Sequence, residues 1–485
     1  TIGNNNVVVG SQALSNSNSV SDTVAVGYQA LRLNTTGTNN NAVGYRSLYS
    51  NTTGRFNTSS GYEALFSNTT GDANTGSGYH SLYSNTQGSG NSAYGDNSMF
   101  WNTTGIANTA MGANSLYSNT TGGFNTANGE SSLLFNTTGN SNTASGAKSL
   151  SSNSTGSQNT ASGYYSLYSN TSGNDNTAIG NESLFSNTTG EQNSAIGVRS
   201  LYSNVDGNGN VANGIEALYS NTSGSSNTAN GGSALYANTT GDNNTANGNG
   251  ALLSNINGFS NTAEGANSMS SNISGSWNTA VGIESQYSGT SGFSNVSLGG
   301  FSLRNNLAGS NNTSLGANTL FNSTGNANTS LGFNSSLNLT SGDNNLALGA
   351  NTSFASSTGS YQMNIANNIF GTGLTGSVGS PAGYIGIGTN SPTNVLEIKA
   401  TATDSSGLRF TNLLSTSAVS TGTDKFLTVD SNGDVVLATS TAQPCTSTGS
   451  GTNNTCYGIN ALQNNTTGFN NVANGRNSLF SNSTG

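Results

Sequence analysis

The sequence predicts an all-β fold, a parallel β-solenoid (β-roll) of 17-residue coils with a small β insert. Three observations carry that expectation. The first is an internal period: the Gly that closes the phrase N-T-A-x-G recurs at Gly10, Gly27, Gly44, Gly61, Gly78, Gly95, Gly112 and Gly129, and on to Gly349, with a single 16-residue step from Gly316 to Gly332. Self-similarity at a fixed short period marks a repeat architecture. The second is composition, with 66 Gly, 3 Pro and only 6% charged residues in 485. Ordinary domains carry about 25% charged residues, so a conventional enzyme is not expected. The retained 18 Tyr and 17 Phe with a net charge of -9 also argue against disorder driven by charge repulsion. The third is that all three prolines, Pro381, Pro392 and Pro444, lie in or beside the one stretch where the period is lost. Proline removes a ladder donor, so its absence from the first 362 residues suits continuous coil pairing.

Within a coil the consensus runs N-T-A-x-G-x-x-S-L-Y-S-N-T-T-G-x-x, as in Asn108 to Ala110, Gly112, Ser115, Leu116, Tyr117, Asn119 and Gly122. Two Gly and a high density of Ser, Thr and Asn leave no helix-length stretch. We therefore expect two short strands per coil, one at N-T-A-x-G and one at S-L-Y-S. A bend at the marker Gly and a turn at N-T-T-G join them, with Gly supplying positive φ. Gly44, Gly61, Gly78, Gly95, Gly112 and Gly129 are the structural turn glycines of this reading. Coils stacked about 4.8 Å apart would place Asn51, Asn68, Asn85, Asn102 and Asn119 in a side-chain amide ladder.

Strand alternation sends neighbouring side chains to opposite faces. On that premise Leu48, Leu65, Leu82, Met99 and Leu116 point inward, while Tyr49, Phe66, Tyr83, Phe100 and Tyr117 form an outward stripe. An exposed aromatic ridge of that length is a liability on a monomer. The stripe is accordingly expected to be an oligomer seam buried against sister chains, and the uncovered chain to aggregate.

The domain map follows from the phase. Residues 1–362 form the first repeat array, 363–442 a non-repeat β insert or connector, and 443–485 a resumed array. The insert holds 8 of the 29 charged residues. Its V-L-E-I-K segment, Val395 to Lys399, alternates like a half-buried strand. Phe426 to Asp430 and Asp434 to Ala438 flank Ser431-Asn432-Gly433, a hairpin signal because Asn-Gly favours turns of positive φ. Gly458 and Gly475 are again 17 apart, and Gly485 closes in phase. Neither end carries the polar capping repeat that a solenoid normally needs, and Thr1 opens within the pattern. A longer parent chain or end-to-end polymerisation is the expectation.

These coils, with Tyr384-Ile385-Gly386-Ile387-Gly388-Thr389-Asn390-Ser391-Pro392 and the L-R-F-T-N-L and F-L-T-V-D-S-N-G-D-V segments, resemble repeat-rich bacterial surface and phage tail-fibre-like proteins. They resemble, more distantly, the heads of trimeric autotransporter adhesins, which are homotrimeric left-handed β-rolls. The resemblance implies an extracellular, cell-surface or virion-fibre location and self-association as a homotrimer or an end-to-end filament. Surface glycans or a host-cell receptor are the external partners it implies.

Little in the sequence carries chemistry. His80 occupies a variable position whose equivalents are Arg46, Glu63 and Asn97, and a lone His cannot build an imidazole zinc cluster. The carboxylates are scattered, without the facing pair that glycoside cleavage requires. The Gly-rich phrases lack the strand-to-helix context and following Lys of a phosphate loop. No catalytic residue, cofactor or metal site is expected. Ten basic residues do not make the stripe that phosphate neutralisation needs, so nucleic acid is not an expected partner. No run of about 18 apolar residues would span a membrane, and no signal peptide is visible.

Cys445 and Cys456 lie 11 apart where the second array begins. An even cysteine count in an extracellular chain favours a disulfide between them, while Cys456 at the small Ala phase of its coil also suits a buried free thiol. The N-x-[ST] phrases match glycosylation acceptors but arise from the repeat turns.

The leading function is an extracellular structural fibre, filament or adhesin shaft. An ice-binding solenoid is the alternative, because Thr58, Thr75, Thr109, Thr126 and Thr143 recur in register, although the Thr-Thr pairs are adjacent and diverge. A phage tailspike-type protein that binds or cleaves glycans is the third.

Overall fold

The computed structural model describes residues 3–377 and 382–399, together with the strands Lys425–Val429, Val435–Thr439, Thr455–Tyr457 and Val472–Asn474. The chain divides into two compact units, Thr1–Gly407 and Leu408–Gly485.

The first unit is an all-β solenoid of about 21 turns with 17-residue coils. Each coil contributes one three-residue strand, from Val7–Val9 to Met363–Ile365, paired in parallel with the strands before and after it. Register is fixed by the period, so like residues meet: Thr109 with Thr126, and Ala110 with Ala127. At about 4.8 Å per strand this ladder is on the order of 100 Å long. The short coil is absorbed without loss of register, Thr313 pairing with Thr329. In-register pairing continues one strand past residue 362, since Leu346 partners Met363. The chain then folds back through the antiparallel strand Ile369–Thr372 to Tyr384–Ile387, which pairs in parallel with Leu396–Ile398 inside the V-L-E-I-K segment. In the second unit, Lys425–Val429 and Val435–Thr439 are antiparallel, and Thr455–Tyr457 and Val472–Asn474 are parallel with 17 residues between partners.

The second strand expected at S-L-Y-S does not form. That segment is a pair of successive turns, closed in one coil by Ser47 N donating to Gly44 O at 3.4 Å and Asn51 N donating to Leu48 O at 3.3 Å. Arg46 and Leu48 adopt left-handed backbone conformations, with φ of 49° and 53°. Those two reversals bring consecutive side chains, Ser47 and Leu48, to the interior, which a strand cannot do. A left-handed non-glycine residue costs roughly 1–2 kcal/mol, whereas full burial of a Leu contributes about 1.5–3 kcal/mol. With two such residues in each coil the strain, about 2–4 kcal/mol, is comparable with the Leu burial, and the backbone pairing between coils adds to the favourable side. Backbone pairing between coils persists through the turns, as in Leu48 N donating to Ala64 O at 2.9 Å and Ser50 N donating to Phe66 O at 3.0 Å.

Leu48, Leu65, Leu82, Met99 and Leu116 are fully buried, and with Ala42, Ala93, Ala110 and their equivalents they form one apolar core that runs to Ala280. A smaller core begins at Leu303 and includes Leu320, Leu339, Ala347 and Phe354.

Candidate functional surface

The interior of each coil is as much amide as hydrocarbon. Asn51, Asn68, Asn85, Asn102 and Asn119 are completely buried and form a column. Each donates through Nδ2 to the Oδ1 of its predecessor, Asn68 to Asn51 at 2.8 Å and Asn119 to Asn102 at 2.7 Å. The same Nδ2 donates to the carbonyl of the Gly three residues on, as Asn119 does to Gly122 at 2.9 Å. Buried polar groups are tolerated when paired, and here the stacking itself supplies the partner. The column runs from Asn34 to Asn272 with every amide pointing the same way along the stack.

A second column, which the sequence reading did not single out, is formed by the Asn that opens N-T-A-x-G. Asn108 Oδ1 accepts from the backbone N–H of Asn125 at 2.9 Å, while Asn108 Nδ2 donates to Gly122 O at 2.9 Å. Two side chains of one coil thus converge on one carbonyl and hold the N-T-T-G turn against the strand.

The marker glycines sit where each strand ends and the turns through Ser-Leu begin. Gly112 has φ of 131°, and a Cβ there would lie 2.7 Å from the carbonyl carbon and oxygen of Gly129. Conformation and coil-to-coil contact both exclude a side chain. Gly44, Gly61, Gly78, Gly95 and Gly129 share the positive φ.

The aromatic stripe faces outward, yet it is half-buried by its own members. Tyr49, Phe66, Tyr83, Phe100 and Tyr117 stack face to face, with centroids 5.1, 5.2, 5.0 and 5.4 Å apart and successive planes within 18°. Each ring covers its neighbour within one chain, so strand alternation gives no reason here to require a sister chain. Stacking of this kind contributes about 0.5–1.5 kcal/mol per pair beyond area burial. Within the run each ring turns its faces toward its stacked neighbours. Leu134 and Ser151 interrupt the column, Tyr168, Phe185, Tyr202, Tyr219 and Tyr236 resume it, and Leu253 and Ser270 interrupt it again before Tyr287. Tyr49, Tyr168 and Tyr287 are each seven coils apart, a period that comparison of adjacent coils does not show. A shorter stack, Tyr28, Tyr45, Tyr62 and Tyr79, stands beside the marker glycines.

The outer face of the ladder carries one Thr column. Thr58, Thr75, Thr109, Thr126 and Thr143 flank the buried small residue on one side. The matching position on the other side is mixed, with Ser60, Tyr94, Met111, Asn128 and Ile179 among its occupants. Thr120, of the adjacent pair Thr120-Thr121, donates its hydroxyl to Thr137 O at 3.0 Å, while Thr121 is exposed. Within the coils the most exposed large apolar side chains are Phe56, Phe124, Ile215 and Trp277, 58 to 63% accessible, of which Ile215 occupies the phase of the Tyr28 stack; beyond the coils Val395 reaches 75%.

Charged groups gather in small ladders beside the rings. Glu63 meets Arg46 at 3.5 Å and His80 at 3.3 Å, and the His80 ring lies 3.8 Å from that of Tyr79. Burial, and then the Glu63 carboxylate, pushes the Tyr83 phenol up. Arg199 pairs with Glu182 at 3.0 Å, and Arg304 with Glu284 at 2.7 Å. Such partly exposed pairs contribute little to stability, about 0–1 kcal/mol each. Lys148 Nζ donates to the Tyr165 hydroxyl at 2.9 Å, which lowers the Tyr165 pKa and raises that of Lys148.

Among the described residues no three His, Cys, Asp or Glu side chains gather as a metal site, and no helix is long and apolar enough to cross a membrane. A cleft of about 550 Å³ lies between the last coil and the Asn390–Thr393 loop, and none of its lining residues is ionisable. Cys445 lies outside the described residues, and of Cys456 only the backbone is described, within Thr455–Tyr457.

The chain matches no family model, no curated protein and no solved structure.

Proposed function

We propose that the chain is the shaft of an extracellular or cell-surface fibre, a stiff stack of coils that self-associates as a homo-oligomer and engages its surroundings through patches on its outer face. One observation carries the reading. Nearly every interior position is committed to coil-to-coil contact through the Leu, Ala and twin Asn columns, whereas the outer face, beside its Thr and aromatic columns, carries positions of mixed residue type. That division suits a protein whose purpose is length and stiffness. The scattered exposed aromatic and aliphatic side chains, with only 6% charged residues, support lateral association or adhesion. The reading assigns the chain no catalytic chemistry.

Native mass by light scattering, with electron microscopy of the same sample, tests it. A mass of three times 48.7 kDa, or filaments of uniform width, is expected. A monodisperse monomer at every accessible concentration overturns the self-association.

The outward Thr column favours a second reading, ice binding. A flat lattice needs two regular columns, and the mixed second position disrupts the match. Thermal hysteresis in dilute solution would establish that reading in place of the first.

A further inference from the structure

Both interior columns break in the same coil. At the position of Leu48 and Leu116 the coil after Gly282 carries Gln286, and at the position of Asn51 and Asn119 it carries Gly289. The main apolar core ends at Ala280 and the next begins at Leu303, so Gln286 stands between them. The amide column ends with Asn272, whose Oδ1 would accept from the missing Asn of the next coil. Beyond the gap, Asn306 Nδ2 donates to Gly309 O at 2.8 Å and has no column partner behind it. Gln286 is 4% exposed, and its Oε1 has no hydrogen-bond partner within the protein.

These groups line one cavity of about 10 Å³, whose walls include Met269, Asn272, Gln286, Gly289 and Asn306. That volume is about the size that holds a single water, and a buried water needs two to four polar partners. We infer that this coil binds one structural water, held by Gln286 and Asn272, in place of the absent asparagine amide. The chemistry selects the occupant. Gln286 Oε1 and Asn272 Oδ1 both call for a donor, and the Asn306 amide on the far side offers a hydrogen. Water donates twice and accepts, matching all three, whereas a cation would find few oxygen ligands and an anion would face two acceptors. Leaving Gln286 Oε1 unpaired would carry the desolvation penalty of a buried acceptor.

The missing side chain fits once the Asn306 carbonyl gives by a few tenths of an ångström. Gly289 is not in the left-handed region, and a Cβ there would lie 3.1 Å from Asn306 O and 3.5 Å from Gln286 O. The Gln286→Leu, Gly289→Asn double variant therefore rebuilds both columns and displaces the water.

The test is a high-resolution structure of the full chain, paired with hydrogen exchange across residues 282–309. The expected result is a single ordered water within hydrogen-bond distance of Gln286 and Asn272. In the double variant that water should be gone and protection of these amides raised at least tenfold. A dry cavity in the parent, with Gln286 turned to another partner, overturns the inference. Should the double variant fail to fold, the parent structure alone decides.

Discussion

Replacing Asn119 with Ala removes one rung from a buried amide column. The side chain makes three hydrogen bonds: Nδ2 to Asn102 Oδ1 at 2.7 Å, Nδ2 to Gly122 O at 2.9 Å, and Oδ1 from Asn136 Nδ2 at 2.9 Å. Gly122 O keeps a partner, because Asn108 Nδ2 also reaches it at 2.9 Å. Asn102 Oδ1 and one Asn136 N–H are left buried and unpaired, at about 1–3 kcal/mol each, so the local loss is about 2–6 kcal/mol. A stack of coils opens by segments, which makes local hydrogen exchange the informative assay. Protection of amides in residues 102–139 should fall at least about thirtyfold, the equivalent of about 2 kcal/mol. The control is Thr121→Ala, which alters an exposed side chain in the same coil and should stay within about 0.5 kcal/mol. Equal loss of protection in the two variants would refute the argument that paired amides hold the coils together.

Gly112→Ala should prevent the coil from closing, because positive φ and the 2.7 Å approach of the Gly129 carbonyl both oppose a Cβ; limited proteolysis should cut at this coil and leave the parent chain intact. The sequon Asn119-Thr120-Thr121 should remain unmodified in folded protein from a glycosylating host, since Asn119 is fully buried; intact-mass measurement showing a glycan there on folded protein would contradict its placement. Tyr165 should ionise below the ordinary tyrosine range, because Lys148 and then Tyr164 lower its pKa, and Lys148→Met should move that step upward in an ultraviolet titration. The sign follows from linkage: the depressed Tyr165 pKa favours the folded state above the unfolded tyrosine value, an advantage lost as pH falls through the folded pKa. The raised Lys148 pKa favours it below the unfolded lysine value, an advantage lost as pH rises through the folded pKa.

The period was legible because in-register stacking places each residue on its own kind, leaving phase and Gly spacing on the surface of the sequence. The turn at Ser47-Leu48 was not. Tyr favours strands, and nothing in the identity of the Leu before it announces a left-handed Leu48. The signal available was that a small residue precedes Leu in coil after coil, a pair buried consecutively in a way no strand allows. Strand reasoning also made Tyr49 and Phe66 a surface in need of a partner, whereas the rings cover one another along the stack. The second Asn column is not legible in sequence because the first residue of N-T-A-x-G stands beside the strand, whereas in the fold its amide braces the N-T-T-G turn. Gln286 and Gly289 were legible as departures from consensus, but their meeting in one cavity depends on the coil's path.

The most direct test of the account is to delete residues 113–231, seven whole coils, and measure the length of the rod formed by the first unit. Joining Gly112 to Gly232 preserves the phase. The rod should remain folded and shorten by about 34 Å, at about 4.8 Å per coil, by small-angle scattering or electron microscopy. An unchanged length, or collapse of the deleted chain when it is compared with a deletion eight residues out of phase, would contradict a solenoid in which each 17-residue coil is an interchangeable step.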